Sequence, residues 1–162
     1  KLNDFSRAGD DARASINLRA AVDDAVAMVR HDSLMHAIDV VCTLDAATVV
    51  QGDAGQLQQV FCNVLTNAMQ AMHGSGALYI GDTRADDNFV EIAIRDTGPG
   101  IAERDLPRLF EPFFTTKPAG HGTGLGLAIS NEIVLAHGGS MRAANHGSGG
   151  ACFYIRLPAG RA

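Results

Sequence analysis

No stretch of this 162-residue sequence gathers lysine and arginine together, and 13 basic against 18 acidic residues leave a formal net charge of −5. The chain therefore lacks the electrostatic footprint that binds nucleic acid or an anionic membrane surface. A polyanionic ligand would have to be held by local dipoles or by a metal. No apolar run approaches the ~20 residues needed to cross a bilayer, and no secretory signal pattern is present. Cysteine is scarce: Cys42, Cys62 and Cys152 lie in apolar contexts without metal-ligand spacing, and an odd count argues against a disulfide framework. That usage points to a reducing, cytosolic compartment. Internal repeats and low-complexity tracts are absent too. The sequence opens on Lys1 rather than Met and reads as a piece of something longer, with any membrane anchor outside it.

What is abundant is apolar surface. At 46% hydrophobic residues the chain can bury one proper core, which is also what its length predicts. Lys1 to Ser15 reads as the end of an upstream helix and a polar connector, with the compact domain running from Ile16 to Ala162. Residues 19–35 set Ala21, Val22, Ala25, Val26, Met28 and Val29 mostly on one helical face, and residues 38–44 and 48–50 read as strands. The clearest element follows. Leu57, Val60, Phe61, Val64, Leu65, Ala68, Met69 and Met72 keep the i, i+3, i+4, i+7 pattern until Gly74 stops it. Residues 77–83 and 89–95 read as paired strands, residues 124–137 as a helix, and residues 140–144 and 151–157 as two closing strands. Separated helices and terminal hairpins favour a two-layer α/β sandwich, with helices on one face of a mixed sheet, over a doubly wound parallel sheet. The segment from about Gly98 to Gly122 is too long and irregular for an ordinary connection and predicts a lid or binding loop.

Four segments carry chemistry. Gly122-Thr123-Gly124-Leu125-Gly126-Leu127 leads into the last helix, so unobstructed backbone N–H groups and a helix N-terminus converge as they do on phosphate. The pattern has no Gly-Lys-Ser/Thr and does not fit the dinucleotide fingerprint, and a glycine-rich hinge is the alternative. On the central helix, Asn63, Asn67 and Gln70 border the apolar stripe at about 240°, 280° and 220° from Leu57, at ~100° per residue. They form either a solvated stripe or a metal site beside a nucleotide, where a neutral amide oxygen suffices because substrate phosphates supply the charge. Asp96-Thr97-Gly98-Pro99-Gly100-Ile101 ends a strand. Its carboxylate could accept from the exocyclic amine of adenine and repel the carbonyl of guanine, unless the segment is simply a turn. Last, Leu109-Phe110-Glu111-Pro112-Phe113-Phe114-Thr115-Thr116-Lys117 holds three of the seven phenylalanines. These read as an anchor of the lid in the core, with Lys117 free to swing toward phosphate.

In this order and spacing, the segments resemble the N box (residues 53–71), first glycine box (96–101), F box (109–117) and second glycine box (122–127) of the catalytic domain of bacterial sensor histidine kinases. Residues 147–157 resemble that domain's closing hairpin. This is the Bergerat-fold superfamily, which also holds type II topoisomerase and chaperone ATPases. The wording Phe-Glu-Pro-Phe-Phe-Thr-Thr-Lys and Asn-Ala-Met-Gln-Ala is similar to the nitrogen-regulation, dicarboxylate-sensing and oxygen-sensing kinases. The resemblance implies ATP and magnesium as ligands. Asn67 would bind the metal with help from Asn63, and Asp96 would select adenine with Gly98, Gly100 and Ile101 around the base. Residues Gly122, Thr123, Gly124, Leu125, Gly126 and Leu127 would wrap the phosphates. Basic residues common in the family are replaced here by Gln70 and Thr115, which leaves phosphate charge to Lys117, helped by His121. Hydroxyl positions of the hairpin hold Ala151 and Cys152, which puts a hydrogen bond from there to the base network in doubt.

The related hydrolytic ATPases carry a glutamate four residues before the metal-binding asparagine, and here that position is Asn63. An amide is no general base, so the residue types favour transfer to a histidine over hydrolysis. None of His31, His36, His73, His121, His137 and His146 has the context of a phosphoacceptor. The resemblance therefore implies an acceptor on an upstream dimerisation and histidine-phosphotransfer domain, a homodimeric full-length protein, and a response regulator downstream. A same-fold ATPase switch and a degenerate nucleotide-binding module are the alternatives.

Overall fold

The computed structural model describes residues 13–30, 37–83, 86–115 and 124–160. Its elements are β1 (Arg13–Asn17), α1 (Leu18–Val29), β2 (Ile38–Cys42), β3 (Val49–Asp53), α2 (Ala54–Ala71), β4 (Gly76–Asp82), β5 (Phe89–Asp96), α3 (Gly126–Ala136), β6 (Ser140–Asn145) and β7 (Ala151–Pro158), with one 3₁₀ turn at Leu106–Arg108. Five strands form a mixed sheet in the order β2-β4-β5-β7-β6, in which only the β2–β4 pair is parallel. β1 and β3 form a separate antiparallel pair. This is the two-layer sandwich expected, with the small β1–β3 sheet as an addition. Residues 13–15, read from the sequence as connector, form the first half of β1.

The core lies between the large sheet and α2. Leu57, Val60, Phe61, Val64, Leu65, Ala68 and Met69 of α2 are all buried, as their 3.6-residue spacing requires. Val90, Ile92 and Ile94 of β5 and Phe153, Ile155 and Leu157 of β7 face them. The opposite sheet face is open and is covered by arginines laid over aromatic rings. Arg95 stacks 4.4 Å from the Tyr79 centroid, Arg142 lies 3.7 Å from Tyr154, and Arg156 lies 3.8 Å from Phe89. Such pairs shield apolar rings while leaving charge in water. On this face burial pushes the Cys152 thiol up, as it does that of Cys62 on α2. Both are poor nucleophiles in consequence. No helix among the described residues is long and apolar enough to cross a membrane.

α1 spans Leu18–Val29, where the Arg30 N–H closes the last turn onto Val26 and Met28, and residues 31–35 of the expected helix lie outside the described residues. Its start is set by Asn17, whose side chain accepts from Ala20 N at 2.9 Å. α3 begins at Gly126 rather than Gly124, since Gly124 has φ +71 and a left-handed residue cannot sit inside a right-handed helix.

His137, at the C-terminus of α3, ties the helical layer to β3. Its buried ring accepts from Asp53 N through Nε2 at 3.1 Å, which leaves Nδ1 to donate to Ile133 O at 2.8 Å. Asp53 is itself the cap of α2, its carboxylate accepting from Gln56 N at 2.9 Å. His137→Ala should therefore destabilise the domain by about 2–4 kcal/mol, from an unsatisfied buried N–H plus a cavity. Denaturant unfolding measures this, and a loss below about 1 kcal/mol would contradict the role assigned to the ring.

Candidate functional site

The alternation of β5 decides where its last residue points. Val90, Ile92, Ile94 and Asp96 share one face, so the carboxylate lies on the helix side of the sheet where the apolar core ends. Asp96 is 2% exposed, and two backbone N–H groups fix its Oδ1: Gly98 at 2.9 Å and Ala151 at 3.2 Å. No other hydrogen bond reaches the carboxylate among the described residues, so Oδ2 is left as an acceptor of fixed direction. With Ala151 and Cys152 in place of hydroxyl residues, the closing hairpin reaches the Asp96 carboxylate through a backbone donor. Gly150, at φ +87, lets it approach: a Cβ there would collide with the Asp96 carbonyl oxygen.

α2 supplies the facing wall. Asn63, Asn67 and Ala71 follow one another at i, i+4 spacing along one row of the helix. At one end of the row Asn63 Nδ2 donates to Gly126 O at 3.2 Å and to Ser130 Oγ at 3.1 Å, which ties α2 to the start of α3. At the other end the Ala71 carbonyl meets the loop after β5, 3.0 Å from where a Cβ of Gly98 would stand. Asn67 lies between the two contacts, half-buried, and its side-chain amide makes no hydrogen bond among the described residues. An unpartnered amide on α2 and a fixed carboxylate at the end of β5 suit a ligand that carries both a hard cation and a polar ring.

The third wall is the base of the lid. Phe113 N donates to Gly124 O at 2.8 Å, and both residues have positive φ, +68 and +71. A Cβ on Gly124 would strike the Phe113 backbone, so the crossing requires glycine. The expectation that all three phenylalanines anchor in the core is corrected. Phe110 does so, edge-to-face on Phe153 at 6.5 Å, whereas Phe114 lies under the Arg108 guanidinium at 4.4 Å and Phe113 is 74% exposed. The left-handed backbone at Phe113 turns its ring outward. Glu111 lies 3.5 Å from Arg108. Leu125 caps α3, and Gly126 and Leu127 open it. Lys117, His121, Gly122 and Thr123 lie outside the described residues.

The structure thus brings together Asn63 and the start of α3, Asp96 and the closing hairpin, and Gly98 and the end of α2. It also adds residues that the sequence reading passed over. Asn145 clasps the backbone of Ile101, accepting from its N–H at 2.7 Å and donating to its carbonyl at 2.6 Å. Thr97 Oγ1 accepts from Ala77 N at 3.0 Å. An asparagine before a glycine-rich turn looks like turn chemistry in a sequence, and nothing local shows that it reaches a loop 44 residues away.

Residues 52–161 match the family model described as histidine kinase-, DNA gyrase B- and HSP90-like ATPase. The chain is 40% identical over 164 residues to the two-component sensor PprA of Pseudomonas aeruginosa, a match covering 97% of this chain and 18% of that protein. It is 37% identical over 162 residues to the sensor protein FixL of Bradyrhizobium diazoefficiens, covering 98% and 32%. The solved structure of the mycobacterial sensor histidine kinase MprB superposes with a TM-score of 0.82 at 29% identity, over 93% of this chain and 99% of that one. The chain spans a third or less of the length of these curated relatives. By the family match, the relatives and the shared architecture, this chain belongs to the histidine kinase-, DNA gyrase B- and HSP90-like ATPase family, as the ATP-binding domain found in two-component sensor kinases.

Proposed function

We propose that the domain binds magnesium and ATP and donates the γ-phosphoryl group to a histidine on an upstream dimerisation and phosphotransfer domain of the longer protein, from which a response regulator takes it. The observation that carries this reading is the buried Asp96 carboxylate, one oxygen locked by Gly98 and Ala151 and the other left as an acceptor at the end of the core. Such a group accepts from the adenine amine and opposes a purine carbonyl at the same place.

The donor set on α2 fits magnesium. Asn67 offers a neutral oxygen with no partner among the described residues, and a hard cation that keeps waters and phosphate oxygens needs no more from the protein. Bound there, the metal would neutralise charge on the phosphates. Phosphoryl transfer asks little covalent chemistry of a protein, so this chain's contribution is positioning. Gly124, Leu125 and Gly126 would present backbone N–H groups at the start of α3, and Asn63 holds that start against α2. Asn63 also separates transfer from hydrolysis. Its nitrogen is committed to Gly126 and Ser130, and an amide has no basic lone pair with which to activate water. An incoming neutral imidazole brings its own lone pair.

Calorimetric titration with a non-hydrolysable ATP analogue should show magnesium-dependent binding. Asn67→Ala should weaken it at least tenfold, about 1.4 kcal/mol, and remove most of the magnesium dependence. Asp96→Asn should weaken it similarly and narrow the preference over GTP. Unaltered binding by both variants would defeat the site as drawn. In a separate assay, the chain alone should turn over ATP negligibly, whereas adding the upstream histidine domain should yield acid-labile, base-stable phosphate. Vigorous steady-state hydrolysis without that domain would instead favour an ATPase switch.

A further inference from the structure

The loop from Asp96 to Ile101 contains Gly98, Pro99 and Gly100, a composition that does little to hold its own shape. Its order comes from elsewhere. Asn145 and Ala151 face each other as the last rung of the β6–β7 pair. Ala151 N donates to Asp96 Oδ1 at 3.2 Å, gripping the loop where it leaves β5. Across the rung, Asn145 pairs with both backbone groups of Ile101 at 2.7 and 2.6 Å, gripping the loop where it ends. A planar amide offers an acceptor and donors side by side, so it can mimic a strand partner for a single residue. Gly100 passes beneath at φ +84, where a Cβ would stand 2.9 Å from Asn145 Oδ1.

The rung is braced by the turn that follows. The turn beyond it closes on itself, with His146 N donating to Gly150 O at 2.9 Å, Gly149 N to His146 O at 2.9 Å and Ser148 N to His146 Nδ1 at 3.1 Å. Asn145 is exposed and stands outside the apolar core, so its truncation leaves the core packing intact.

We infer that Asn145 is a positioning residue for base recognition: with Ala151 across the rung, it holds the Asp96–Ile101 loop in the shape that lets Asp96 and Gly100 meet the adenine ring. The inference rests on the ATP-binding reading above. It makes the closing hairpin a part of nucleotide selection through the loop it holds. Loss of the clasp would free the loop and spoil discrimination between bases, whereas a merely structural role would weaken all nucleotides alike.

Magnesium ADP and magnesium GDP share phosphates and metal and differ in the base, so titrating both isolates the effect. In Asn145→Ala the preference for ADP over GDP should fall at least about tenfold, as misplacement of a binding group by ~1 Å can cost more than that. Amide hydrogen exchange at Ile101 should accelerate in the same variant. Asn145→Asp keeps the acceptor but sets a carboxylate oxygen against the Ile101 carbonyl, and should lose the preference to at least the same extent. Should the alanine variant prove too unstable to titrate, Asn145→Ser, with one of the two hydrogen bonds still possible, carries the test and should fall midway. Equal weakening of both nucleotides, or a preference unchanged from wild type, overturns the inference while leaving ATP binding standing. A folded wild-type chain that binds neither nucleotide, or shows no preference for ADP, overturns the ATP-binding reading and this inference with it.

Discussion

Everything in this domain hangs on one seam, the buried face of α2 against the large sheet. Seven of its side chains, from Leu57 to Met69, are buried in α2 alone. All but Ala68 contribute about 1.5–3 kcal/mol of transfer free energy each, enough to offset much of the cost of ordering an 18-residue helix. The seam also fixes the helix's rotation. With the apolar stripe held against β5 and β7, the row of Asn63, Asn67 and Ala71 can lie only at the edge of the interface, where core gives way to cleft. Functional groups on α2 are placed by hydrophobic burial, and no separate device is needed to aim them.

The same seam decides the fate of Asp96. A carboxylate at a buried strand position is costly unless hydrogen bonds compensate it. Here the compensation comes from two backbone N–H groups on different segments, the loop after β5 and the β6–β7 hairpin. Desolvation and recognition are thus two aspects of one arrangement. The donors that make burial tolerable also orient the oxygen that remains. Binding sites in α/β folds commonly lie where strands end, and this one adds a hairpin clasped to the loop.

The departures from the family's usual residues form a coherent set. Exposed Gln70 and Thr115 stand where basic side chains are common, while Asn63 stands where a hydrolytic relative would carry glutamate. On the proposed reading, the first pair would lower the positive charge near the phosphates and leave the burden to Lys117 and to backbone dipoles at the start of α3. On the same reading, Asn63 would deprive the site of the base that hydrolysis needs. A domain so composed would suit the proposed role of holding ATP for transfer better than that of hydrolysing it.

Much of this was legible along the chain because it depends on local periodicity. The 3.6-residue spacing of Leu57 to Met72 exposed α2 and its amide border, and the alternation of residues 89–95 exposed β5. The order of the four boxes pointed to the ligand. What the sequence could not decide were features set by residues far apart in the chain. The separate pairing of β1 with β3 depends on the tertiary arrangement, and so does the outward turn of Phe113, imposed where its backbone crosses Gly124. The Ala151 donor on Asp96 and the Asn145 clasp on Ile101 join segments separated by 55 and 44 residues. A side chain's type and neighbours tell what bonds it can make. Only the packed sheet, which brings the end of β6 beside the end of β5, settles which bond it makes.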